Sequence, residues 1–278
     1  MIIDGHAHAC GGYLTPENIT KTLDNSGTDK VILVPGEPNS KSEYFLPDLA
    51  ALFPNLNVVK ATNFLTKIVI RLSGMLYHIP KGNEYVHELR LKTNDRVIQF
   101  IWITTRIQNP IGYLDNKLAD WHFSGVKLHQ CWDDFSIDSK FFIEIAIWTE
   151  KNDLPLFIHL NTDTEVKKII KYKRDHPNLK LIIAHLFGLE LFINENLRPK
   201  NLYFDTSSPQ LVSKKRLLKA IRFFGTNNLI LGSDNPYGKN NLKKNIARIS
   251  GLDITDQDKK SILGENLLHI LSKINTNA

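Results

Sequence analysis

The first ten residues, MIIDGHAHAC, set His6 and His8 two positions apart behind an apolar run. On a strand that spacing points both imidazoles to one face, where two neutral rings can share a metal ion. Further along, short apolar runs end in groups of the same kind. GVKLH (125–129) ends in Lys127 and His129, LPLFIH (154–159) in His159, and KLIIAH (180–185) in His185. NLYFD (201–205) ends in Asp205 and NLILGSD (228–234) in Asp234. A single histidine at a strand end is commonly a hydrogen-bonded structural residue. So many histidines and aspartates at strand ends call for a shared role. Imidazole with carboxylate suits Zn(II), whose catalytic sites keep one position open for water. His159 and Asp234, distant in sequence, could complete a set with His6 and His8; read alone, Asp234 would cap the turn in SDNPYG.

The elements that must position these groups follow a steady rhythm. Apolar runs at 1–4, 30–35, 96–103, 125–129, 154–159, 180–185, 201–205 and 228–234 are nearly continuous, the pattern of parallel strands covered on both faces. Helical patterns separate them at 15–26, 84–94, 111–122, 138–152, 163–176, 188–197 and 210–224, and two more, 240–250 and 255–273, close the chain. Eight βα units without a break in composition predict a TIM (β/α)8 barrel, one domain over 1–278. An open doubly wound sheet would want a glycine-rich loop after the first strand, and none is present. In a barrel, chemistry gathers at the C-terminal ends of the strands. Residues 37–83, between the second and third strands, exceed one helix and its loops and predict an insertion. Such a segment is either a pocket wall or lid, or a packing helix with a subunit contact, and the sequence leaves both open. The apolar 64–79 stretch is where a homodimer contact would lie.

Composition bounds the partners. With 42% hydrophobic and 23% charged residues, the 278-residue chain reads as globular. Two cysteines, Cys10 and Cys131, make no disulfide framework and predict a reducing cytoplasm. No basic and then apolar leader opens the chain. The 64–79 stretch is interrupted by Lys67, Arg71, Ser73 and His78 and predicts no membrane span. The net charge of +6 collects at 166–176 and 213–222 on the outer faces of helices. It therefore predicts no nucleic-acid partner, and a small anionic substrate instead.

DGHAH, GVKLH, PLFIH, IIAH and LGSDNPYG together resemble the amidohydrolase superfamily. Within it, the chain is similar to the branch of aminocarboxymuconate-semialdehyde decarboxylase-like metal-dependent hydrolases. YFDTSS (203–208) and ILGENLLHIL (262–271) extend the likeness over nearly the whole length. The resemblance implies His6, His8, His159 and Asp234 as ligands of one divalent metal, with His185 and Asp234 as the catalytic acid–base groups. Zn(II) suits the set, though Mn(II) and Fe(II) accept the same ligands. Lys127 is then a cationic anchor for substrate; if it is carboxylated, as in binuclear members, it brings in a second metal. His129, Asn161 and Trp132 are expected to bind substrate, with Asn235 and Tyr237 at the rim and Cys10 and Cys131 as pocket lining. The expected reaction is hydrolysis of an ester, lactone or amide by metal-activated water. Non-oxidative decarboxylation of an unsaturated or aromatic acid is the alternative. A nuclease is disfavoured by Lys127, where barrel nucleases carry glutamate, and a barrel that only binds is disfavoured by the intact ligand set.

Overall fold

The computed structural model describes residues 1–41, 44–73 (backbone only over 71–73) and 78–272. Eight parallel strands run in sequence order: β1 (Ile3–His8), β2 (Lys30–Val34), β3 (Val97–Trp102), β4 (Gly125–His129), β5 (Leu156–His159), β6 (Leu181–Ile183), β7 (Leu202–Asp205) and β8 (Leu229–Ile230). The ring closes by backbone bonds made beyond the two-residue β8. Gly5 N donates to Leu231 O at 2.8 Å, and Asp234 N to His6 O at 2.7 Å. The strands approach so tightly here that a Cβ on Gly5 would stand 2.6 Å from Leu231 O. This is the predicted (β/α)8 barrel.

Helices follow the strands: α1 (Pro16–Ser26), then α2 (Leu49–Leu52), α3 (Val59–Ser73) and α4 (Ile79–Leu91). After β3 come α5 (Pro110–Trp121), α6 (Lys140–Lys151), α7 (Asp163–Asp175), α8 (Leu189–Asn194) and α9 (Lys214–Phe224). Behind β8 lie α10 (Asn241–Ser250), α11 (Asp256–Lys260) and α12 (Asn266–Ser272). Local chemistry fixes the ends: Thr15 caps α1 by accepting from Asn18 N, Pro16 opens its first turn, and Gly27 ends it at φ 63°. Two apolar layers result. One lies between strands and helices, and an inner one of Ile32, Phe100, Trp102, Phe157 and Ile182 is joined by Leu267 and Ile270 of α12.

Three expectations need correcting. The first strand reaches His8 instead of stopping at residue 4, and the sixth and eighth strands stop at Ile183 and Ile230. β6 gives way to left-handed backbone at His185 (φ 58°), and the bonds that continue beyond β8 reach Asp234, itself left-handed at φ 57°. The expected 255–273 helix is α11 and α12 joined by a π-helical turn, Ser261–Glu265. Residue 273, like 74–77 within the expected dimer segment, lies outside the described residues.

The 37–83 insertion lies across the C-terminal rim. Tyr44 pairs with Tyr237, Ala50 N donates to Gln210 O at 2.7 Å, and Lys60 meets Asp163 at 2.5 Å. Asn63 Nδ2 donates to Leu160 O at 3.0 Å, pinning α3 beyond the end of β5. At the far end of the insertion, Asn83 docks α4 on β3. Its Nδ2 donates to Trp102 O and its Oδ1 accepts from Trp102 N, both at 2.8 Å, and the residue is fully buried. Asn83→Ala would leave both backbone groups buried and unsatisfied, so urea unfolding is expected to show a loss of about 2–4 kcal/mol. A change within about 0.5 kcal/mol would refute this docking role.

Candidate active site and metal centre

At the rim, β1 delivers His6 and His8 to the barrel mouth. Each ring has its Nδ1 engaged: that of His6 donates to Asp205 Oδ2 at 3.0 Å, and that of His8 to Pro35 O at 2.9 Å. Both Nε2 atoms therefore point away from these anchors and stand 3.6 Å from the same oxygen, Asp234 Oδ1, with that of His6 also 3.1 Å from Lys127 Nζ. The ligand atoms of the three residues lie within 4.8 Å of one another, and all three are buried. Two ligands each about 2.1 Å from a tetrahedral ion stand about 3.4 Å apart. The spacing thus fits a small divalent cation, and the donor set of neutral imidazole and carboxylate fits one chemically.

The end of β7 organises the inner side of this centre. Ser207 O accepts from His185 Nδ1 at 2.8 Å, which leaves His185 Nε2 facing Asp234 Oδ2 at 3.9 Å. Ser207 N donates to Asp205 Oδ1 at 2.9 Å, steadying the carboxylate behind His6. Asp205 was legible as a polar strand end without a role; here it sets the tautomer of His6. His185 and Asp234 both hold positive φ, a conformation costing on the order of 1–3 kcal/mol at non-glycine residues and concentrated at working sites.

His159, the fourth expected ligand, has no atom among those that converge within 4.8 Å at His6, His8 and Asp234. It borders the same cavity, and its ring meets His185 at 4.8 Å. Its Nε2 is 2.8 Å from Asn63 Oδ1, and its Nδ1 is buried with no hydrogen-bond partner. That orphaned nitrogen is the one His159 has left to offer a cation. Register explains its other neighbour: His129 and His159 are paired on β4 and β5, and their rings stack at 4.0 Å and 15°. With Cys131 they form a second buried group of potential ligands. Near-parallel rings cannot aim in-plane lone pairs at one ion, and His129 Nδ1 already accepts from Cys131 N at 3.1 Å. Burial pushes the Cys131 thiol up to about 12, so it stays protonated.

Electrostatics agree with neutral imidazoles around one anion. Burial lowers His6, His129 and His159 well below the usual histidine range, and the Lys127 charge adds to this at each. Burial pushes the Asp234 carboxyl up, but His185, His6 and His8 outweigh it and hold it below its usual value. Burial also brings Lys127 down to about 8 against the pull of Asp234 and Asp205.

A cavity of about 380 Å³ opens above the centre. His8, His129, His159, His185 and Asp234 form its floor, with Trp132 beside them. Thus His129 and Trp132 reach the cavity as expected. Lys127 and Asn161 are not on its wall. Lys127 is fully buried, with Nζ 3.1 Å from His6 Nε2 and 3.8 Å above the Phe157 ring, so it cannot anchor substrate from there. Asn161 has its backbone N held by Gln130 Oε1 at 3.1 Å, and its side-chain Oδ1 is buried without a hydrogen-bond partner among the described residues. Cys10 and Cys131 are buried away from the wall as well. The insertion supplies most of the rest, including Glu37, Tyr44, Asn63, Thr66 and Val69, and so forms a pocket wall, which Leu211 and Tyr237 complete. Asn63 had no sequence signal, because an asparagine on an amphipathic helix reads as a solvated residue.

A parallel barrel with buried imidazoles and a carboxylate converging at its C-terminal rim defines a barrel enzyme with a candidate metal centre. The chain belongs to the amidohydrolase family, whose profile matches residues 79–267, more than half its length. No curated protein matches the chain. Among solved structures, 2,6-dihydroxybenzoate decarboxylase from Rhizobium shares 15% identity at a TM-score of 0.69, with 98% of each chain covered. A dihydroxybenzoic acid decarboxylase from Polaromonas with bound manganese shares 13% at 0.69, covering 98% of this chain and 96% of that one. A probable 2-pyrone-4,6-dicarboxylic acid hydrolase from Acinetobacter baumannii shares 13% at 0.66, covering 98% and 99%. At such identities the likeness fixes the fold. No helix among the described residues is long and apolar enough to cross a membrane.

Proposed function

We propose that this protein is a metal-dependent hydrolase that cleaves an ester, lactone or amide bond of a small molecule in the rim cavity. The observation that carries the reading is the convergence of His6 Nε2 and His8 Nε2 on Asp234 Oδ1 at 3.6 Å each. His6, His8 and Asp234 would hold one Zn(II), with His159 as the fourth ligand through the nitrogen left free. When bound, the ion supplies a water with a pKa lowered to about 7 and polarises the carbonyl under attack. Asp234 is placed to take a proton at Oδ2. His185, its ring fixed through Nδ1, is placed to pass that proton from Nε2 to the leaving group. His129, whose Nδ1 is occupied as an acceptor, presents its Nε2–H toward bound substrate. The two buried neutral thiols support a reducing, cytoplasmic setting.

A second reading, decarboxylation of an aromatic acid, draws support from the cavity's rings. Tyr44 and Tyr237 stack at 5.6 Å, and Trp132 faces the floor. The decarboxylases among its structural neighbours point the same way. One experiment separates the readings. The purified protein should carry about one equivalent of zinc, or two if Lys127 is carboxylated. Dipicolinate treatment should abolish turnover and zinc should restore it. A panel of nitrophenyl esters, lactones and hydroxybenzoic acids, followed by chromophore or acid release and by CO2 evolution, then assigns the reaction. CO2 without ester or lactone cleavage would replace the first reading by the second, and no metal after growth in zinc would sink both.

A further inference from the structure

Glu37 stands where the insertion leaves β2, and its carboxylate is on the cavity wall. It accepts the phenol hydrogens of Tyr44 and Tyr237. Those two rings stack at 5.6 Å and 20°, and the edge of Tyr237 meets His8 at 5.5 Å. An aromatic wall therefore leads from the metal centre to a carboxylate. Charge along the cavity is one-sided: Glu37 and Asp234 line it, and among the described residues no lysine or arginine does. Lys127, the cation nearest the centre, is sealed beneath His6. Glu37 forms no ion pair among the described residues, and two phenol donors leave about half of its acceptor capacity open. Burial raises its carboxyl above the usual range, while His8 and Tyr237 pull against that rise. Glu37 also borders a second cavity with His78 and Lys81, and a half-buried carboxylate that pairs with neither can take an ammonium donor from a ligand.

We infer that Glu37 is a specificity-determining residue that selects substrates carrying an ammonium group at the end away from the reacting bond. The inference rests on the proposed metal centre and reverses the anionic preference expected from the chain's net charge. Net charge reports the outer helices; the cavity wall carries the opposite sign. A carboxylate tail would face Glu37 with no cation between them, and a neutral alkyl tail would leave the acceptors unmet.

The test uses three hydroxamates of matched length on the zinc-loaded full chain, with affinities from titration calorimetry. They are 4-aminobutanohydroxamate, butanohydroxamate and succinate monohydroxamate. The ammonium tail is expected to bind about tenfold tighter than the neutral tail, and the carboxylate tail about tenfold weaker, one buried charge contact each way. Glu37→Gln keeps the size and removes the charge, and should bring the three within about threefold. Equal affinities in the wild type, a carboxylate preference, no binding by any of the three, or an unchanged order in the variant would each overturn the inference. No turnover is needed, so failure of the hydrolase reading shows separately as loaded protein that discriminates tails yet cleaves nothing. If the protein takes up no zinc, the metal reading fails by itself. Quenching of tryptophan fluorescence by butylammonium against butyrate then reads the tail preference, and equal quenching overturns it.

Discussion

An Asp234→Asn protein is expected to lose its metal and its turnover while keeping its fold. The choice of asparagine follows from the backbone: residue 234 sits at φ 57°, which asparagine tolerates and alanine resists by about 1 kcal/mol. The substitution therefore isolates the carboxylate. That carboxylate is the proposed oxygen ligand, and its Oδ1 stands 3.6 Å from both His6 Nε2 and His8 Nε2. It is also the anion that offsets the field of Lys127 and the surrounding rings. Outer-shell changes at metal sites cost about 10–100-fold in affinity, and loss of a charged ligand should exceed that range. Turnover should fall by about 1000-fold or more, since ligand and proton acceptor go together. Zinc content by atomic emission and the far-ultraviolet circular dichroism spectrum are the two readouts. A full equivalent of tightly held zinc in the variant would remove Asp234 from the centre.

The largest effect on stability is expected at Asp4, two residues before the first ligand. It is fully buried and accepts from four donors: Ser233 N at 2.8 Å, Ser233 Oγ at 2.6 Å, Tyr13 hydroxyl at 2.8 Å and His6 N at 3.3 Å. It thereby ties β1 to the turn that carries Asp234. Asp4→Ala would strand these donors in a dry interior, at a cost of about 3–5 kcal/mol by urea unfolding. The same change should weaken metal binding without touching a ligand, because Ser233 adjoins Asp234. Asp4→Asn, which keeps one acceptor oxygen, should fall between wild type and alanine. An alanine variant as stable as the wild type would show that the knot carries no weight.

These two residues mark the reach of the sequence. The barrel and the polar residues at its rim were legible, because parallel strands and their polar termini leave local signatures. GVKLH even has the same bounds as β4. Apart from the first strand, which runs on to His8, the misread strand ends are those followed by left-handed backbone at His185 and Asp234, which no apolar run announces. Lys127 was legible as a strand-end cation, but its depth was not: β4 sends it inward under His6, where it meets no cavity. Glu37, Tyr44 and Asn63 act through the docking of the insertion, a tertiary event written into no short motif. Asp4 looked like a strand neighbour, since its partners at Ser233 lie 229 positions away.

That separation bears on how the enzyme is made. The seam closing the barrel joins the first strand to the turn after the eighth, and the candidate metal trio straddles it. His6 and His8 precede Asp234 by most of the barrel, so the trio is complete only after the eighth strand has been made. Pairing across such a span is slow relative to local contacts, which makes closure a late step. Capture of the proposed metal would then follow closure of the ring, and a filled centre would report that the ring has shut.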